Sequence, residues 1–529
     1  MRDDADQRGV DLLVVDTGDR VDGNGLYDGS DPKGRYSYDI FKEQHIDIIC
    51  TGNHELYEAD AAEREYNLTV PNFAGAYLAS NLDILHPETG ERVPLSRRYR
   101  QFTTKNQGIR VLAFGFLFDF DRGAKNTFVQ KVRDTIEEPW FQAAIREKVD
   151  IFVVVGHVTP RSEEYMALYT AIRRQNWDTP IQFFGGHSHV RDYTSFDSKA
   201  HALQSGRYME TIGWMAIDGI KPSSSDANVA SGLAFERRYI DNNLFGYHHH
   251  TGLNESTFPT ELGQNVSEAI RTARKAMNLD ERYGCAPQDY WLNRAPYTSK
   301  DSIFRLLTDE VLPGILVPEG RADKPRIAIV NTGGLRFDIF KGTFTKDTTL
   351  IISPFNNRFK YIKDVPWRVA RRVLPLINAG GQVFDIADLQ SWALAPPQQM
   401  SLKKDIIIDN DVDGKPRDSA QAPLRSKPSL VPGYTTQDDG GDDGDDTVHD
   451  PLSFYRVPNC VQAEVAFPAQ GEPETVDLVF LDFVEPWILL ALKFSGRSYG
   501  PEDVGSYMDG KTFTGMLKEW VSEHWSSDC

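Results

Sequence analysis

Residues 47–60, DIICTGNHELYEAD, decide the fold because they take an apolar strand directly into polar side chains. The apolar run ends at Cys50, and a glycine soon leads to Asn53 and His54. Asparagine is a good helix N-cap and Glu55 suits the first turn of a helix, so local capping is one explanation of these residues. The rest of the chain favours another explanation.

Three other apolar strands end in the same way, with Asp or His just after a glycine. They are DLLVVDTGDR at 11–20, DIFVVVGHVT at 150–159 and IQFFGGHSHV at 181–190. Strands that are apolar throughout are buried on both faces, which is typical of a layered α/β domain. In such domains ligands bind at the strand ends.

The side chains at these four strand ends are of the types that hold a divalent cation. Carboxylate, imidazole and amide oxygen ligands suit such metals, and rigid strand ends keep them in place. The candidate metal ligands are Asp19, Asn53, His157, His187 and His189. One Gly-Asp or Gly-His pair is more often structural than functional, whereas all of them in this order indicate a metal centre.

The composition is that of a large, acidic globular protein. The chain has 529 residues, 40% of them hydrophobic, and a formal net charge of -19, so it is long enough for two or more domains. This charge argues against a nucleic acid as the main partner. The sequence contains no apolar run of the roughly 18 to 20 residues that a membrane span needs, and we expect no signal peptide in it.

The cysteines and sequons bear on the cellular compartment. The four cysteines are Cys50, Cys285, Cys460 and Cys529. They are too few and too scattered to predict a disulfide framework or a zinc–cysteine site, and we expect Cys50 to be a buried thiol. The three Asn-x-Ser/Thr triplets begin at Asn67, Asn254 and Asn265. They permit glycosylation and favour a secreted or vacuolar protein, with the cytoplasm as the alternative.

The pattern of strands and helices predicts two domains. The predicted ranges are 1–250 for the first domain, 251–282 for a linker helix region and 283–529 for the second domain. In the second domain, RIAIVNTGGLRFDIF at 326–340 and TLIISPFNNRFKYI at 349–362 are predicted strands. The acidic, glycine-rich stretch at about 410–450 has too few apolar residues to order itself, so we expect a disordered insertion there.

The motif order Gly-Asp, Gly-Asn-His-Glu, Gly-His and Gly-Gly-His-Ser-His resembles that of the calcineurin-like metallophosphoesterases. Downstream, NTGGLR at 331–336 and SPFNNRF at 353–359 are similar to the nucleotide-binding motifs of the 5'-nucleotidase C-terminal domain. The resemblance extends from Asp11 to about Phe483. It implies an α/β (α+β) protein with a layered metallophosphoesterase β-sandwich flanked by helices, followed by a 5'-nucleotidase-like C-terminal α/β domain.

The resemblance also implies a phosphoric ester hydrolase that cleaves a nucleotide or a similar small phosphate monoester with metal-activated water. Family members hold two divalent ions, for which Zn, Mn, Fe, Mg and Co are all suitable. Matched by motif, Asp19 bridges the two ions and His189 belongs to the first. The second ion is completed by Asn53, His157 and His187.

His54 is matched to the catalytic histidine of the family, which is not a metal ligand. The resemblance implies that it stabilises developing charge and assists the leaving alcohol. In nucleotidases an aspartate three residues later orients this histidine, whereas this chain has Tyr57 there and Glu58 next. Glu58 or another carboxylate is the candidate replacement.

The substrate-binding residues matched in the same way are Asn331, Arg336, Phe355 and Phe483, with the two aromatics stacking on a base. Phe483 is about equally well explained as a core residue. The family's Gly-Gly-Asp-Gly-Phe signature after the last aromatic is replaced by the apolar stretch EPWILLALKF at 485–494. The nucleotide assignment therefore rests on fewer motifs than the phosphoesterase assignment.

One family motif is missing, because no Asp-x-His occurs anywhere in this sequence. In the family this motif ends the first strand, so we expect a chain that starts after that strand, firmly binds one metal ion and has little activity. One alternative is a catalytically impaired relative that binds a metal or nucleosides, and another is an enzyme whose first strand lies upstream. The sequence does not determine the metal, the substrate or the oligomeric state.

Overall fold

The computed structural model of the chain describes residues 1–222, 232–379, 394, 396–400, 402–403, 406–409, 434–441, 449 and 452–529. Most of the stretch at 410–450 lies outside the described residues. The chain divides into two compact units. Unit 1 comprises Met1–Val21, Tyr36–Ile270 and Lys427–Leu452, and unit 2 comprises Asp22–Arg35, Arg271–Ser426 and Ser453–Cys529. Both units are discontinuous in sequence, whereas the domain ranges predicted from the sequence are consecutive, and those ranges stay predictions.

The strands of the described residues are numbered in chain order. They are β1 (Val15–Asp16), β2 (Ile48–Ile49), β3 (Leu82–Leu85), β4 (Arg92–Pro94), β5 (Tyr99–Thr103), β6 (Arg110–Leu117), β7 (Thr127–Val129), β8 (Ile151–His157), β9 (Ile181–Phe184), β10 (Arg191–Asp197), β11 (Ala200–Ser205), β12 (Thr211–Asp218), β13 (Ala234–Asp241), β14 (Arg282–Ala286), β15 (Arg326–Asn331), β16 (Gly342–Thr345), β17 (Phe359–Pro366), β18 (Ile407–Ile408), β19 (Thr436–Asp438), β20 (Phe454–Tyr455), β21 (Cys460–Val465), β22 (Thr475–Leu481) and β23 (Val504–Ser506).

The α-helices are numbered in the same way. They are α1 (Arg2–Gln7), α2 (Gly25–Asp28), α3 (Ser37–Phe41), α4 (Ala59–Arg64), α5 (Val70–Asn72), α6 (Val132–Thr135), α7 (Pro139–Ala144), α8 (Glu163–Gln175), α9 (Leu244–Thr251), α10 (Glu261–Ala276), α11 (Ile303–Leu306), α12 (Leu312–Ile315), α13 (Lys346–Ile352), α14 (Trp367–Ala370), α15 (Val373–Ala379), α16 (Glu485–Phe494) and α17 (Phe513–His524). Within the described ranges, no helix combines the length and the apolar character that crossing a membrane requires.

Unit 1 is built on a seven-stranded sheet in the order β19-β10-β11-β9-β8-β6-β5. Its central strands β6, β8 and β9 are parallel, and every residue of β8 is buried, as expected for an apolar strand of a layered α/β domain. One face packs its phenylalanines against α7 and α8. The other face packs against Ile48 of β2 and the adjacent Cys50. Strand β2 forms a small parallel pair with β1. The predicted α/β fold class is therefore confirmed.

Strand β19 comes from the acidic stretch and forms the edge of this sheet, in parallel with β10. The Arg237 guanidinium binds the carboxylate of Asp438 at 2.9 Å, and Arg161 binds Asp439 at 2.9 Å. Residues 436–438 of the predicted disordered insertion are thus ordered as a strand. The physical reason is that distant arginines neutralise the acidic side chains while β10 pairs with the backbone.

Unit 2 contains a five-stranded sheet in the order β21-β15-β22-β17-β23, with an apolar core on each face. The strand predicted at 349–362 is only partly correct, because Lys346–Ile352 forms helix α13 and strand β17 begins at Phe359. Thr345 and Thr348 form a capping box at the start of α13. This capping outweighs the β-propensity of the Thr-Leu-Ile-Ile run.

A disulfide joins Cys285 of β14 to Cys529, with 5.4 Å between the two Cα atoms and a sequence separation of 244. The cysteine pattern predicted no disulfide framework, and it also gave no sign of this single bridge, since folding brings together cysteines that spacing does not relate. Cys50 is a buried free thiol, as predicted, and so is Cys460.

Candidate metal centre

Three predicted ligands meet in unit 1 at the ends of its parallel strands. Asp19 follows β1, His157 is the last residue of β8, and His187 follows β9. One ligand atom from each of these side chains lies within 4.8 Å of the ligand atoms of the other two. A carboxylate and two imidazoles so close together are a ligand set that suits a divalent transition metal.

His157 is held in a definite tautomer. Its Nδ1 lies 2.8 Å from the carbonyl oxygen of Thr17, which can only accept, so Nδ1 carries a hydrogen. Its Nε2 lies 2.9 Å from Oδ2 of Asp19. In a neutral imidazole this would bring two lone pairs face to face, so the contact requires a proton or a shared cation.

The charges of this pair shift their pKa values in opposite directions. Burial disfavours the ionised Asp19, but the facing imidazoles of His157 and His54 outweigh it and hold the pKa of Asp19 well below its usual range. Burial also disfavours the imidazolium of His157, but the Asp19 carboxylate outweighs this and raises the pKa of His157. The centre is therefore strongly polarised, with His157 buried and Asp19 and His187 partly buried.

Backbone strain is concentrated at the same place. Asp19, His187 and His189 have positive φ values of 60°, 76° and 60°, a left-handed conformation that side-chain-bearing residues rarely adopt. Each such residue costs on the order of 1–3 kcal/mol unless its surroundings enforce the conformation. Strain of this kind is characteristic of ligand-binding loops.

Glu55 enforces the conformation of the Asp19 loop. Its fully buried carboxylate accepts backbone N–H bonds from Asp19 at 3.0 Å, Arg20 at 2.5 Å and Gly52 at 2.7 Å. It thereby ties the loop after β1 to the loop after β2. Burial raises the pKa of Glu55, and the nearby Arg20 guanidinium opposes that shift. The sequence analysis placed Glu55 only as a first-turn charge and missed this role.

Arg20 also holds these loops in place, and the sequence analysis missed this role as well. Its Nη1 donates to Oδ1 of Asp16 at 2.7 Å and to the carbonyl oxygen of Cys50 at 2.8 Å, and its Nη2 is paired with Glu65. The only signal in the sequence was a basic residue directly after Gly-Asp, which has no distinctive spacing to its partners.

Asn53 directly precedes His54, whose backbone binds Asp19, and does not cap a helix with its side chain. It stands at the N-cap position of the 3-10 turn His54–Leu56 but makes no capping bond with its side chain, so the local capping explanation is wrong. Its Nδ2 donates to the hydroxyl of Tyr57 at 3.0 Å. Its Oδ1 is buried and accepts no hydrogen bond from the described residues. Such an acceptor costs about 1–3 kcal/mol, and a cation at this point would satisfy it.

His54 and His189 lie outside the group of three ligands. The backbone N–H of His54 donates to Oδ1 of Asp19 at 2.9 Å, and its Nε2 lies 3.9 Å from Oδ2 of the same carboxylate. The ring of His189 is instead 5.7 Å from that of Tyr208. His54 is thus adjacent to the centre, and the structure does not bring His189 into the ligand group.

The predicted substrate residues lie in unit 2. Asn331 ends β15 with its Oδ1 buried and unbonded among the described residues. Arg336 follows in the next loop, and its guanidinium carbon lies 5.7 Å from the ring centre of Phe355. Phe483 is half-buried with its ring 6.0 Å from that of Trp487, against the core. Arg336 and Phe355 are therefore in contact, while Phe483 also has a core-packing role.

Two family models match the chain. Residues 2–191 match the calcineurin-like phosphoesterase model, and residues 289–489 match the model of the NAD nucleotidase C-terminal domain. An uncharacterized protein of Schizosaccharomyces pombe is 37% identical over 100% of this chain and 86% of its own length. A protein of Arthroderma benhamiae named "Secreted protein" is 35% identical over 99% of this chain and 85% of its own length.

Solved structures agree with these matches. The crystal structure of a 5'-nucleotidase from Candida albicans has 37% sequence identity and a TM-score of 0.86, covering 99% of this chain and 91% of that chain. A 5'-nucleotidase precursor from Thermus thermophilus has 16% identity and a TM-score of 0.56, covering 98% of this chain and 89% of that chain. The second likeness is one of fold alone.

Proposed function

Because the chain belongs to the calcineurin-like phosphoesterases that carry a NAD-nucleotidase-type C-terminal domain, we propose that it hydrolyses a nucleotide or a similar small phosphate monoester in a metal-dependent reaction. The family supports a phosphoric ester hydrolase at the level of reaction class. The observation that carries the finer proposal is the group of Asp19, His157 and His187. Asn53 adds a buried Oδ1 that has no hydrogen-bond partner among the described residues.

These four residues would hold the cation. The donor set fits, because the amide oxygen lacks a partner among the described residues and the His157 and Asp19 ligand atoms face each other at 2.9 Å. When bound, a divalent ion supplies positive charge that polarises the phosphate ester and activates a water molecule. We infer one firmly bound ion, and Zn, Mn, Fe, Mg and Co all accept such ligands.

His54 would act on the substrate and would not bind the cation. It is 8% exposed and adjacent to the centre without belonging to the ligand group. From there its imidazole would stabilise charge on the phosphoryl group and donate a proton to the leaving alcohol oxygen. The Oδ1 of Asp19 accepts a hydrogen bond from the backbone N–H of His54. This bond keeps the His54 side chain at the edge of the site.

The substrate class rests on unit 2. A guanidinium beside an aromatic ring, as in Arg336 and Phe355, suits a ligand that combines negative charge with a flat base. The buried Oδ1 of Asn331 offers an acceptor at the end of β15. These features support a nucleotide with stacking on Phe355 and Phe483, in keeping with the 5'-nucleotidase of Candida albicans among the similar structures.

A second candidate function is favoured by the missing Asp-x-His motif. Asp19, His157 and His187 form the group expected for one ion, whereas only Asp19 and His189 are matched to the other, so the residues that the family would use for that ion are sparse in this sequence. A catalytically impaired relative that binds a metal or nucleosides would keep the group of three ligands and the Arg336–Phe355 contact without turnover.

A secretory compartment is supported by three features. The disulfide between Cys285 and Cys529 is of a kind that persists in oxidising compartments, and one relative is named a secreted protein. Asn254 is exposed, and its Oδ1 accepts from the backbone N–H and hydroxyl of Ser256 in a tight turn. We propose a secreted or vacuolar protein that carries an N-glycan at Asn254.

The test is phosphate release by the purified chain after chelation and after return of single metals. Nucleoside monophosphates, sugar phosphates and an aryl phosphate would be compared, with metal content measured in parallel. We expect release that disappears with chelation and returns with a divalent ion, highest for nucleotides. Bound metal or nucleoside without turnover would favour the impaired relative. A protein that shows no binding and no turnover would overturn the proposal.

A further inference from the structure

We propose that Tyr57 is the positioning residue of the metal centre: its hydroxyl determines which end of the Asn53 carboxamide faces the cation, and its ring holds the imidazole of His54. This inference rests on the proposed function, because it concerns the same centre. This chain has Tyr57 where the motif of the resembling nucleotidases has an aspartate, and a tyrosine cannot supply a carboxylate.

The carboxamide of Asn53 has two different ends, and only its oxygen is a metal ligand. Its Nδ2 lies 3.0 Å from the Tyr57 hydroxyl, while its Oδ1 is buried without a hydrogen bond from the described residues. Once a cation takes the oxygen, the amide hydrogens need an acceptor, and the Tyr57 oxygen is placed to be that acceptor. The tyrosine thus fixes the amide in the orientation that binds metal.

The ring of Tyr57 is itself held between two other rings. It meets His54 edge to face at 5.1 Å with an interplanar angle of 87°, and it meets Phe120 at 5.4 Å with an angle of 84°. Edge-to-face packing restricts the rotation of both partners. Tyr57 therefore limits how far the imidazole of His54 can turn away from Asp19, whose Oδ2 lies 3.9 Å from it.

Of the two carboxylates close to Tyr57 in sequence, one is exposed and the other is bonded to the backbone. Glu58 is exposed at the N-cap position of α4. Glu55 is occupied by three backbone N–H groups of the loops after β1 and β2. Glu58 is therefore not supported as the residue that orients His54 in place of the family's aspartate. We assign this role to Tyr57.

The decisive variant is Tyr57→Phe, which removes the hydroxyl and keeps the ring. We expect roughly 10- to 100-fold weaker metal binding, the range for loss of a partner that orients a ligand, measured by equilibrium dialysis against a competing chelator. With Co²⁺ as the probe, the visible absorption should change in position or intensity. Because the ring stays, the metal-saturated variant should keep most of its kcat.

A second variant separates the two tasks of the residue. Tyr57→Leu should weaken metal binding as much as Tyr57→Phe and should further lower kcat at saturating metal, because the His54 ring loses its neighbour. Tyr66→Phe is the matched control, since Tyr66 is a partly buried tyrosine of unit 1 whose ring packs on His86. It should leave both metal affinity and kcat unchanged.

The outcomes distinguish this inference from the proposed function. If the wild-type protein binds metal and releases phosphate while Tyr57→Phe has the same metal affinity and the same Co²⁺ spectrum, the positioning role is wrong and the function stands. If the wild-type protein binds no divalent metal, both are wrong. Melting of the metal-free variants at the wild-type temperature would show that weaker metal binding is not a consequence of unfolding.

Discussion

The Nε2 atom of His157 lies 2.9 Å from Oδ2 of Asp19, while the opposite ring nitrogen is bonded to the backbone of Thr17. The ring therefore cannot turn away from the carboxylate without losing a buried hydrogen bond. Its strand, β8, is buried along its whole length, and it pairs with β6 and β9 on its two sides. A ligand held in this way should be difficult to replace.

His157→Asn tests that statement. Loss of the imidazole nitrogen should weaken metal binding by at least about 100-fold, the upper range for residues that only orient a ligand. Metal content after dialysis would be measured together with phosphate release. His86→Asn, at a half-buried histidine distant in sequence from the ligands, is the control. A dialysed His157→Asn protein that keeps its full metal content would contradict the assignment.

His54→Asn should separate chemistry from metal binding. Because His54 is beside the ligand group without belonging to it, the variant should keep its metal while kcat falls by roughly 10²- to 10⁴-fold, as for other acid–base groups. The measurement is metal content per chain alongside kcat. Parallel loss of metal and activity would mean that His54 is a ligand.

Phe355→Ala should weaken nucleoside binding. Its ring lies beside the guanidinium of Arg336, and loss of one stacking platform costs about 1–3 kcal/mol for a base elsewhere. Calorimetry or competition against phosphate release would give the affinity. Phe494→Ala removes a phenylalanine that is 50% exposed and should have no effect. If nucleosides neither bind nor inhibit the wild-type protein, the substrate is not a nucleotide.

Asp192 should give unit 1 a pH-dependent stability. Burial and the charge of Asp439 raise the pKa of Asp192 to about 6, against the opposing effect of Arg161. A raised pKa stabilises the folded state below the unfolded value of 3.8, and that contribution disappears as the pH rises through about 6, so stability should fall over this window by at most roughly 3 kcal/mol.

Asp192→Asn removes this titration while keeping the shape of the side chain. Thermal melting of the wild-type protein and the variant would be compared at several pH values between about 4 and 7, which bracket the shifted pKa. We expect the difference between their melting temperatures to change across that range. The exposed Asp60→Asn serves as a control and should follow the wild-type profile. A difference that stays constant with pH would contradict the shifted pKa of Asp192.

Local patterns were enough to predict the α/β fold and the strand ends that approach one another. Apolar runs such as 151–155, each followed by glycine, predict buried parallel strands, and the carboxyl ends of parallel strands lie at one edge of a sheet. That geometry is why side chains as distant in sequence as Asp19 and His187 were expected together, and the two do fall in one ligand group.

The parts that sequence did not predict depend on long-range partners. Strand β19 owes its order to Arg237 and Arg161, which lie 201 and 278 positions from their acidic partners. The contact of Tyr57 with Asn53 is local in sequence, but the family pattern had led us to expect a carboxylate near His54, and a tyrosine hydroxyl has no spacing rule of its own. Single-sequence patterns carry no information on such pairings.

The disulfide between Cys285 and Cys529, which are 244 positions apart in sequence, closes the chain between them into a covalent ring. A protease that cuts once anywhere inside this ring, including the acidic stretch, would release no fragment, because both pieces remain joined through sulfur. The nicked protein would migrate as one species on a denaturing gel until a reductant separated it. In an oxidising, protease-rich compartment, the bridge would therefore keep β14 joined to the C-terminal residue even after the backbone between them had been broken.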